Sequence, residues 1–241
     1  MLYSRRFYEN HAAGSTFSAE TVVPIIIERF SPSSVVDVGC GTGIWLKVFR
    51  DLGVEEIRGY DGVWVNPDAL VVPRDCFVGV DLGSANVLAG RFDVALSLEV
   101  AEHLAADSAD QYVAKLVGLS NVVVFSAAIP GQGGRGHVNE QWQSYWARKF
   151  AHHGYVALDL IRPRIWSIRG VAWWYKQNMF VYVNTAEPRL AVDPTVADLM
   201  PIDTVHPDCF TERVMRPSFR AVLQALPAAL VRAVRSRLPS R

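Results

Sequence analysis

Apolar residues along this chain follow two alternating periods. Short runs rich in β-branched and aromatic residues recur from residue 35 onward, and the stretches between them carry apolar residues at helical spacing. The runs at 35–38, 56–60, 76–80, 92–98, 121–126, 155–160 and 179–183 predict seven strands. The run at 121–126 is apolar almost throughout, as a strand must be when both faces of its sheet are covered. Ile44, Trp45, Val48, Phe49 and Leu52 form one helical face, and Gly53 suits the position just past that helix. Asp107 or Ser108 starts a further helix with Tyr112, Val113, Leu116 and Val117 turned inward. Asn139 is placed to cap a helix that runs through Phe150 and ends at Gly154. Ahead of the first strand, Ser18 caps a helix towards Phe30, with Pro24 as a kink or as its true first turn.

Strand and helix alternate as far as residue 160, which predicts an α/β fold with a parallel, doubly wound sheet. The chain divides into an N-terminal helical lid (1–32), a sheet domain (33–184) and a C-terminal helical extension (185–241). In the extension, prolines break the pattern. Arg213, Arg216, Arg220, Arg232, Arg235, Arg237 and Arg241 mark an amphipathic helix interrupted at Pro227. Such a helix packs on the domain with a solvated face, or offers a homodimer or membrane-surface contact.

Composition narrows the function classes. Lys+Arg and Asp+Glu both number 24 in 241 residues, so the chain has no net charge. A neutral chain is poorly suited to a nucleic acid held by phosphate neutralisation, and no nucleic-acid partner is expected. Cys40, Cys76 and Cys209 form neither a disulfide framework nor a CxxC metal site. No apolar run approaches the ~20 residues that span a bilayer, and none follows Arg5 and Arg6 to make a signal peptide. A reducing, cytoplasmic setting is expected.

The candidate chemistry gathers where strands end. In Val35-Val36-Asp37-Val38-Gly39-Cys40-Gly41-Thr42-Gly43-Ile44-Trp45, a strand meets a helix through a turn with glycine at every second position. Glycine permits a sharp bend and a close approach to a ligand, and the helix start offers free N–H groups. Asp61 follows about 20 residues later, where an acidic side chain meets a ribose diol. Asp81-Leu82, Ser97 and Glu99 end the third and fourth strands. A dinucleotide-binding dehydrogenase shares part of this pattern, but its glycines space as Gly-x-Gly-x-x-Gly.

These segments, together with Phe92-Asp93-Val94-Ala95-Leu96-Ser97-Leu98-Glu99-Val100-Ala101-Glu102-His103-Leu104, resemble the successive motifs of class I S-adenosylmethionine-dependent methyltransferases over residues 33–160. The resemblance implies a Rossmann-like seven-stranded sheet with an antiparallel last strand. It implies S-adenosyl-L-methionine as cofactor, held by Gly14, Ser15, Asp37, Gly39, Gly41, Gly43, Trp45, Asp61, Asp81, Leu82 and Ser97. Within that set, Gly39–Gly43 approach the methionine part, Asp61 the ribose, and Asp81 and Leu82 the adenine. Gly14-Ser15, Ser126-Ala127-Ala128-Ile129-Pro130-Gly131-Gln132-Gly133 and His137-Val138-Asn139-Glu140-Gln141-Trp142 resemble a bacterial group associated with polysaccharide and glycoside biosynthesis.

A hydroxyl acceptor needs a base or a metal, whereas a carbon or nitrogen acceptor can do without either. Glu99, Glu102 and His103, at i, i+3 and i+4 of an expected helix, fall on one face towards the cleft. With His137 they form a candidate site for Mg²⁺ or another divalent metal; without one, Glu102 and His103 brace the helix. His137 or His103 is the expected base, with Glu99 beside them. Trp142, Tyr145 and Trp146 share a helix face, and Trp166, Trp173, Trp174 and Tyr175 cluster in an insertion with Arg162, Arg164 and Arg169. The aromatics serve as core and lid packing, or as a platform for a sugar ring, and the three arginines grip an anionic acceptor or solvate a surface loop. Tyr3, Tyr8 and His11 are candidates for a lid over the cofactor. The reading that results is O-methylation of a saccharide or glycosylated small molecule. The rivals are a quinone, polyketide or amine acceptor, an RNA-end methyltransferase, and an NAD-dependent dehydrogenase.

Overall fold

The computed structural model describes residues 5–84, 88–187 and 203–215, with side chains from residue 14. Tyr3, the side chains of Tyr8 and His11, residues 188–202 and the tail from Arg216 lie outside the described residues. The chain divides into two compact units, Met1–Thr204 and Val205–Arg241.

In the first unit, α1 (Arg5–Phe30) leads into β1 (Ser34–Val38), α2 (Ile44–Asp51), β2 (Glu56–Asp61), β3 (Phe77–Gly79), β4 (Val94–Leu98), α3 (Ala109–Leu119), β5 (Val122–Ser126), α4 (Gln143–Ala151), β6 (Tyr155–Leu158), α5 (Arg162–Ile165), α6 (Trp173–Asn178) and β7 (Phe180–Asn184). The sheet has seven strands in the order β3-β2-β1-β4-β5-β7-β6. Its neighbours run parallel from β3 to β5. Only β7 runs antiparallel, between β5 and β6. The predicted α/β class, strand number and closing antiparallel strand are all present. In the second unit, α7 (Pro207–Phe210) runs into a short π-helical turn, Thr211–Met215.

The two-residue period of the strands builds two cores. Val35, Val94, Leu96, Leu98, Val122, Val124, Val181 and Val183 face one side, where α1 and α2 bring Val22, Ile26, Leu46 and Phe49. Val36, Ala95, Val123, Phe125, Phe180 and Tyr182 face the other, against Tyr112, Val113 and Leu116 of α3 and Trp146 and Phe150 of α4. Covering both faces explains why these strands read as unbroken apolar runs. Phe150 and Tyr182 stack at 3.9 Å and 7°, a contact worth ~0.5–1.5 kcal/mol beyond the area it buries.

Three local expectations are corrected. The first helix does not start at Ser18 but at Arg5, and Pro24 lies inside it. Ser18 caps nothing: its hydroxyl donates to the Gly14 carbonyl (2.6 Å) and accepts from the Ala172 N–H (3.1 Å). Asn139 does not cap α4, which starts at Gln143 behind Trp142. The Asn139 N–H is committed elsewhere, to the Glu102 carbonyl at 3.0 Å. The expected helix carrying Glu99, Glu102 and His103 is a single 3₁₀ turn, Ala101–His103. Glu99 precedes that turn at φ +57°, and Leu104 beyond it is extended, so no helix propagates. By contrast, Gly53 and Gly154 do end α2 and α4, at φ +95° and +78°.

Candidate active site

The site lies at the carboxyl ends of β1, β2, β4 and β5. At the end of β1, the Gly39 and Cys40 N–H groups both donate to the Tyr60 carbonyl, at 2.7 and 3.2 Å, folding the turn onto β2. Gly39 has φ +92°, and a Cβ there would sit 2.2 Å from a Val100 methyl. Gly43 has φ +86°, and its Cβ would sit 2.7 Å from Val72. Neither position accepts another residue without rebuilding. Asp61 ties the turn down. Its Oδ2 accepts the Gly41 N–H at 2.7 Å and its Oδ1 the Gly62 N–H at 2.6 Å.

Asp37 is buried beneath this turn. Burial, then the charge of Asp61, lifts its carboxyl to about 7. Burial also raises Asp61, against the two amide hydrogen bonds that lower it. A carboxyl raised on folding stabilises fully below its unfolded pKa and loses that contribution as pH rises through the folded value. The stability of the unliganded protein should therefore fall between about pH 4 and pH 7, by up to about 4 kcal/mol from Asp37. In thermal melts across that range, Asp37→Asn should gain on the wild type as pH rises. A constant gap would overturn the assignment.

Trp45, the first buried residue of α2, packs edge-on against Tyr175 at 5.2 Å. Burial, then the Glu99 charge, lifts the Tyr175 phenol to about 12, against the lowering effect of the nearby Ser15, Trp45 and Trp174. Ser15 of α1 and Trp45 of α2 thus both lie beside Tyr175. Asp81 turns inward on its own loop, accepting the Gly83 N–H at 2.9 Å. Leu82 is buried in the second core. Ser97 does not reach the cleft. It is fully buried and pairs with the Tyr112 hydroxyl at 2.8 Å.

A second group faces the turn from β4 and β5. Glu102 is fully buried. Its Oε1 accepts the Ala128 N–H at 3.2 Å, and its Oε2 has no hydrogen-bond partner. The His103 and His137 rings meet edge to face at 4.9 Å. One ligand atom from each of Glu102, His103 and His137 lies within 4.8 Å of the others. His103 Nδ1 points at the Gly136 carbonyl, 3.3 Å away, so that nitrogen carries the proton of the neutral ring. Burial first, then the charge of His137, lowers His103 and favours that neutral form, against the Gly136 bond.

Glu99 neighbours Glu102 but is held by a different set of groups. It accepts from Asn178 Nδ2 at 3.1 Å and from Gln132 Nε2 at 3.0 Å. Gln177 Nε2 completes the network by donating to Gln132 Oε1 at 3.1 Å. Burial raises Glu99, against the bonds from Asn178, Ser126 and Gln132. Burial and the charge of Glu99 raise Glu102 well above the ordinary carboxylate value.

The aromatic face expected on α4 also divides. Trp146 is core, 5.2 Å from Phe125, while Trp142 precedes the helix with 40% of its surface exposed. Arg162 pairs with Asp159 at 2.8 Å and lies over the Phe180 ring at 3.9 Å, so it braces the fold. The sequence reading missed Gln132, Gln177, Asn178 and Glu140 as site residues. Gln132 and Glu140 left a trace, since both lie in the segments that carry the narrower resemblance, whereas Gln177 and Asn178 left none.

Residues 16–183 match the family model described as "Methyltransferase domain". This chain belongs to that family. Its sheet is the one found in class I S-adenosylmethionine-dependent methyltransferases. The magnesium protoporphyrin IX methyltransferase ChlM from Synechocystis, solved with bound SAM, superposes with a TM-score of 0.53 at 16% identity, over 76% of this chain and 86% of ChlM. The plantazolicin methyltransferase BpumL, solved with SAH, gives 0.51 at 15%, over 74% and 88%. DesVI of Streptomyces venezuelae gives 0.52 at 16%, over 74% and 95%. At these identities the methyltransferase shares a fold with its neighbours and nothing finer. No curated protein matches it by sequence. No described helix is long and apolar enough to cross a membrane.

Proposed function

We propose that this methyltransferase moves the methyl group of S-adenosylmethionine to a hydroxyl of a saccharide or glycosylated small molecule. The observation that carries the reading is a pair of facing imidazoles beside a buried carboxylate. A sulfonium methyl is already activated. Transfer to carbon or nitrogen can proceed by alignment alone, whereas a hydroxyl must lose its proton. His137 and His103 are the groups suited to take it.

The turn fits the cofactor. Gly39 and Gly43 let the turn pack against Val100 and Val72, the space beside Gly41 is open, and Asp61 keeps lone pairs for a ribose diol while holding Gly41 and Gly62. The structural neighbours solved with SAM or SAH support the same choice. On this reading Asp61 binds the ribose, the backbone of the turn flanks the methionine part, and Ser15, Trp45 and Tyr175 close the far wall.

Glu102, His103 and His137 also fit a divalent cation. Glu102 Oε2 lacks a partner, and one carboxylate with two imidazoles is a suitable donor set. These three residues would hold it, with Glu99 committed to its amides. A divalent cation there lowers the pKa of a bound hydroxyl.

The test is methyl transfer from labelled S-adenosylmethionine to a panel of methyl glycosides, with and without chelator, together with calorimetry of the protein with S-adenosylhomocysteine and with Mn²⁺. Binding of S-adenosylhomocysteine and label on a glycoside oxygen are expected. Transfer to amines or quinones instead would replace the acceptor class. Full activity in chelator, with no heat from Mn²⁺, would remove the cation.

A further inference from the structure

Between β5 and α4 the chain runs Pro130-Gly131-Gln132-Gly133-Gly134-Arg135-Gly136-His137. Such a loop reads as a cradle for a phosphate, but its amides are already occupied by a side chain of the protein. Glu140 Oε2 accepts the Gly131 N–H at 2.8 Å, and Glu140 Oε1 accepts the Gly133 N–H at 2.7 Å. Gly131 and Gly133 lie at φ +83° and +65°, conformations that aim both N–H groups at one carboxylate. Oε1 takes a third bond, from His137 Nδ1 at 2.9 Å. A carboxylate can only accept, so His137 Nδ1 is the donor and the lone pair of the neutral ring is on Nε2.

We infer that Glu140 is a positioning residue, which the glycine loop anchors so that it fixes the tautomer and the ring orientation of His137. This rests on the site being a methyl-transfer centre. A ring held in this way offers Nε2 whether it accepts the acceptor's proton or ligates a cation, because both uses need an unprotonated nitrogen. Gly134 is part of the same device. An ideal Cβ there would lie 2.1 Å from His137 Nε2, so only glycine lets the loop fold against this edge of the ring.

The decisive substitution is Glu140→Ala in the full chain. Glutamine would be ambiguous, because an amide oxygen at the Oε1 position could keep both the Gly133 and the His137 bonds, whereas alanine removes the acceptor of the Nδ1 proton altogether. Long-range ¹H–¹⁵N correlation on histidine-labelled protein reads the tautomer, with His137→Asn to assign the signal. The wild type should show His137 protonated on Nδ1, and Glu140→Ala should show it mainly on Nε2, the preference of an unrestrained imidazole. Glycoside methylation should fall about 10³-fold or more in kcat with the acceptor KM little changed, as when the acid that orients a histidine is lost.

Wild-type His137 protonated on Nε2 overturns the inference, and this measurement needs no variant to fold. So does a tautomer that ignores Glu140→Ala, or one that switches with kcat intact. If the tautomer switches but the wild type methylates no glycoside, the role of Glu140 stands and the acceptor class falls.

Discussion

Replacing Asp61 by alanine should weaken S-adenosylhomocysteine binding by about 100-fold or more, the equivalent of about 2.7 kcal/mol. The carboxylate has two duties. Each oxygen anchors one loop amide, Gly41 at 2.7 Å and Gly62 at 2.6 Å, and the remaining lone pairs face the proposed ribose. Hydrogen bonds to a charged group are worth about 1.5–3 kcal/mol each, so loss of the cofactor contacts alone accounts for the effect. Burial already raises this carboxyl, so its removal should leave the unliganded fold standing. Calorimetry with S-adenosylhomocysteine measures the loss, and a melting curve reports the fold. Asp61→Asn should fall between the two, since one amide oxygen can hold one of the loop N–H groups. An affinity unchanged in Asp61→Ala would mean that the cofactor does not sit on this turn.

Gly134→Ala should separate binding from chemistry. Its backbone lies outside the positive-φ region, so alanine introduces no local strain, and its nearest collisions are with the imidazole of His137. The ring must move by an ångström or more, and displacement of that size at a reacting group costs about 100-fold in rate. Methyl transfer should fall by that factor while S-adenosylhomocysteine affinity stays within about two-fold. Gly118→Ala is the control: it lies in α3 with open space around its Cβ, where alanine should stabilise by about 0.5–1 kcal/mol. Equal losses of affinity and rate in Gly134→Ala would assign the loop to the cofactor instead.

The elements legible in the sequence are those whose signal is local. Strands buried on both faces leave apolar runs, and a strand that turns through glycines into a helix can be read within a dozen residues. The helix start at Arg5 was not legible, because a serine that bonds back to Gly14 looks the same in sequence as one that caps. The helical face proposed for Glu99, Glu102 and His103 failed for a tertiary reason. Asn178, 79 positions away, and Gln132 claim the Glu99 carboxylate, and Glu99 takes a left-handed conformation. Periodicity carries no trace of an amide network assembled from distant segments. His137 could be singled out because histidine is scarce and chemically versatile. Its partner Glu140 stood in plain view, yet only the coordinates show that the glycines between them turn their amides on it.

The position of β7 bears on how this protein is made. It is the last strand among the described residues, yet it inserts between β5 and β6, and the segment that delivers it brings Tyr175 and Asn178 to Trp45 and Glu99. A nascent chain leaving the ribosome therefore holds an open slot in its sheet until residue 184 has emerged. A product that stops short of residue 184 keeps the glycine bend but leaves β5 without its antiparallel neighbour, so the sheet that carries the bend is incomplete.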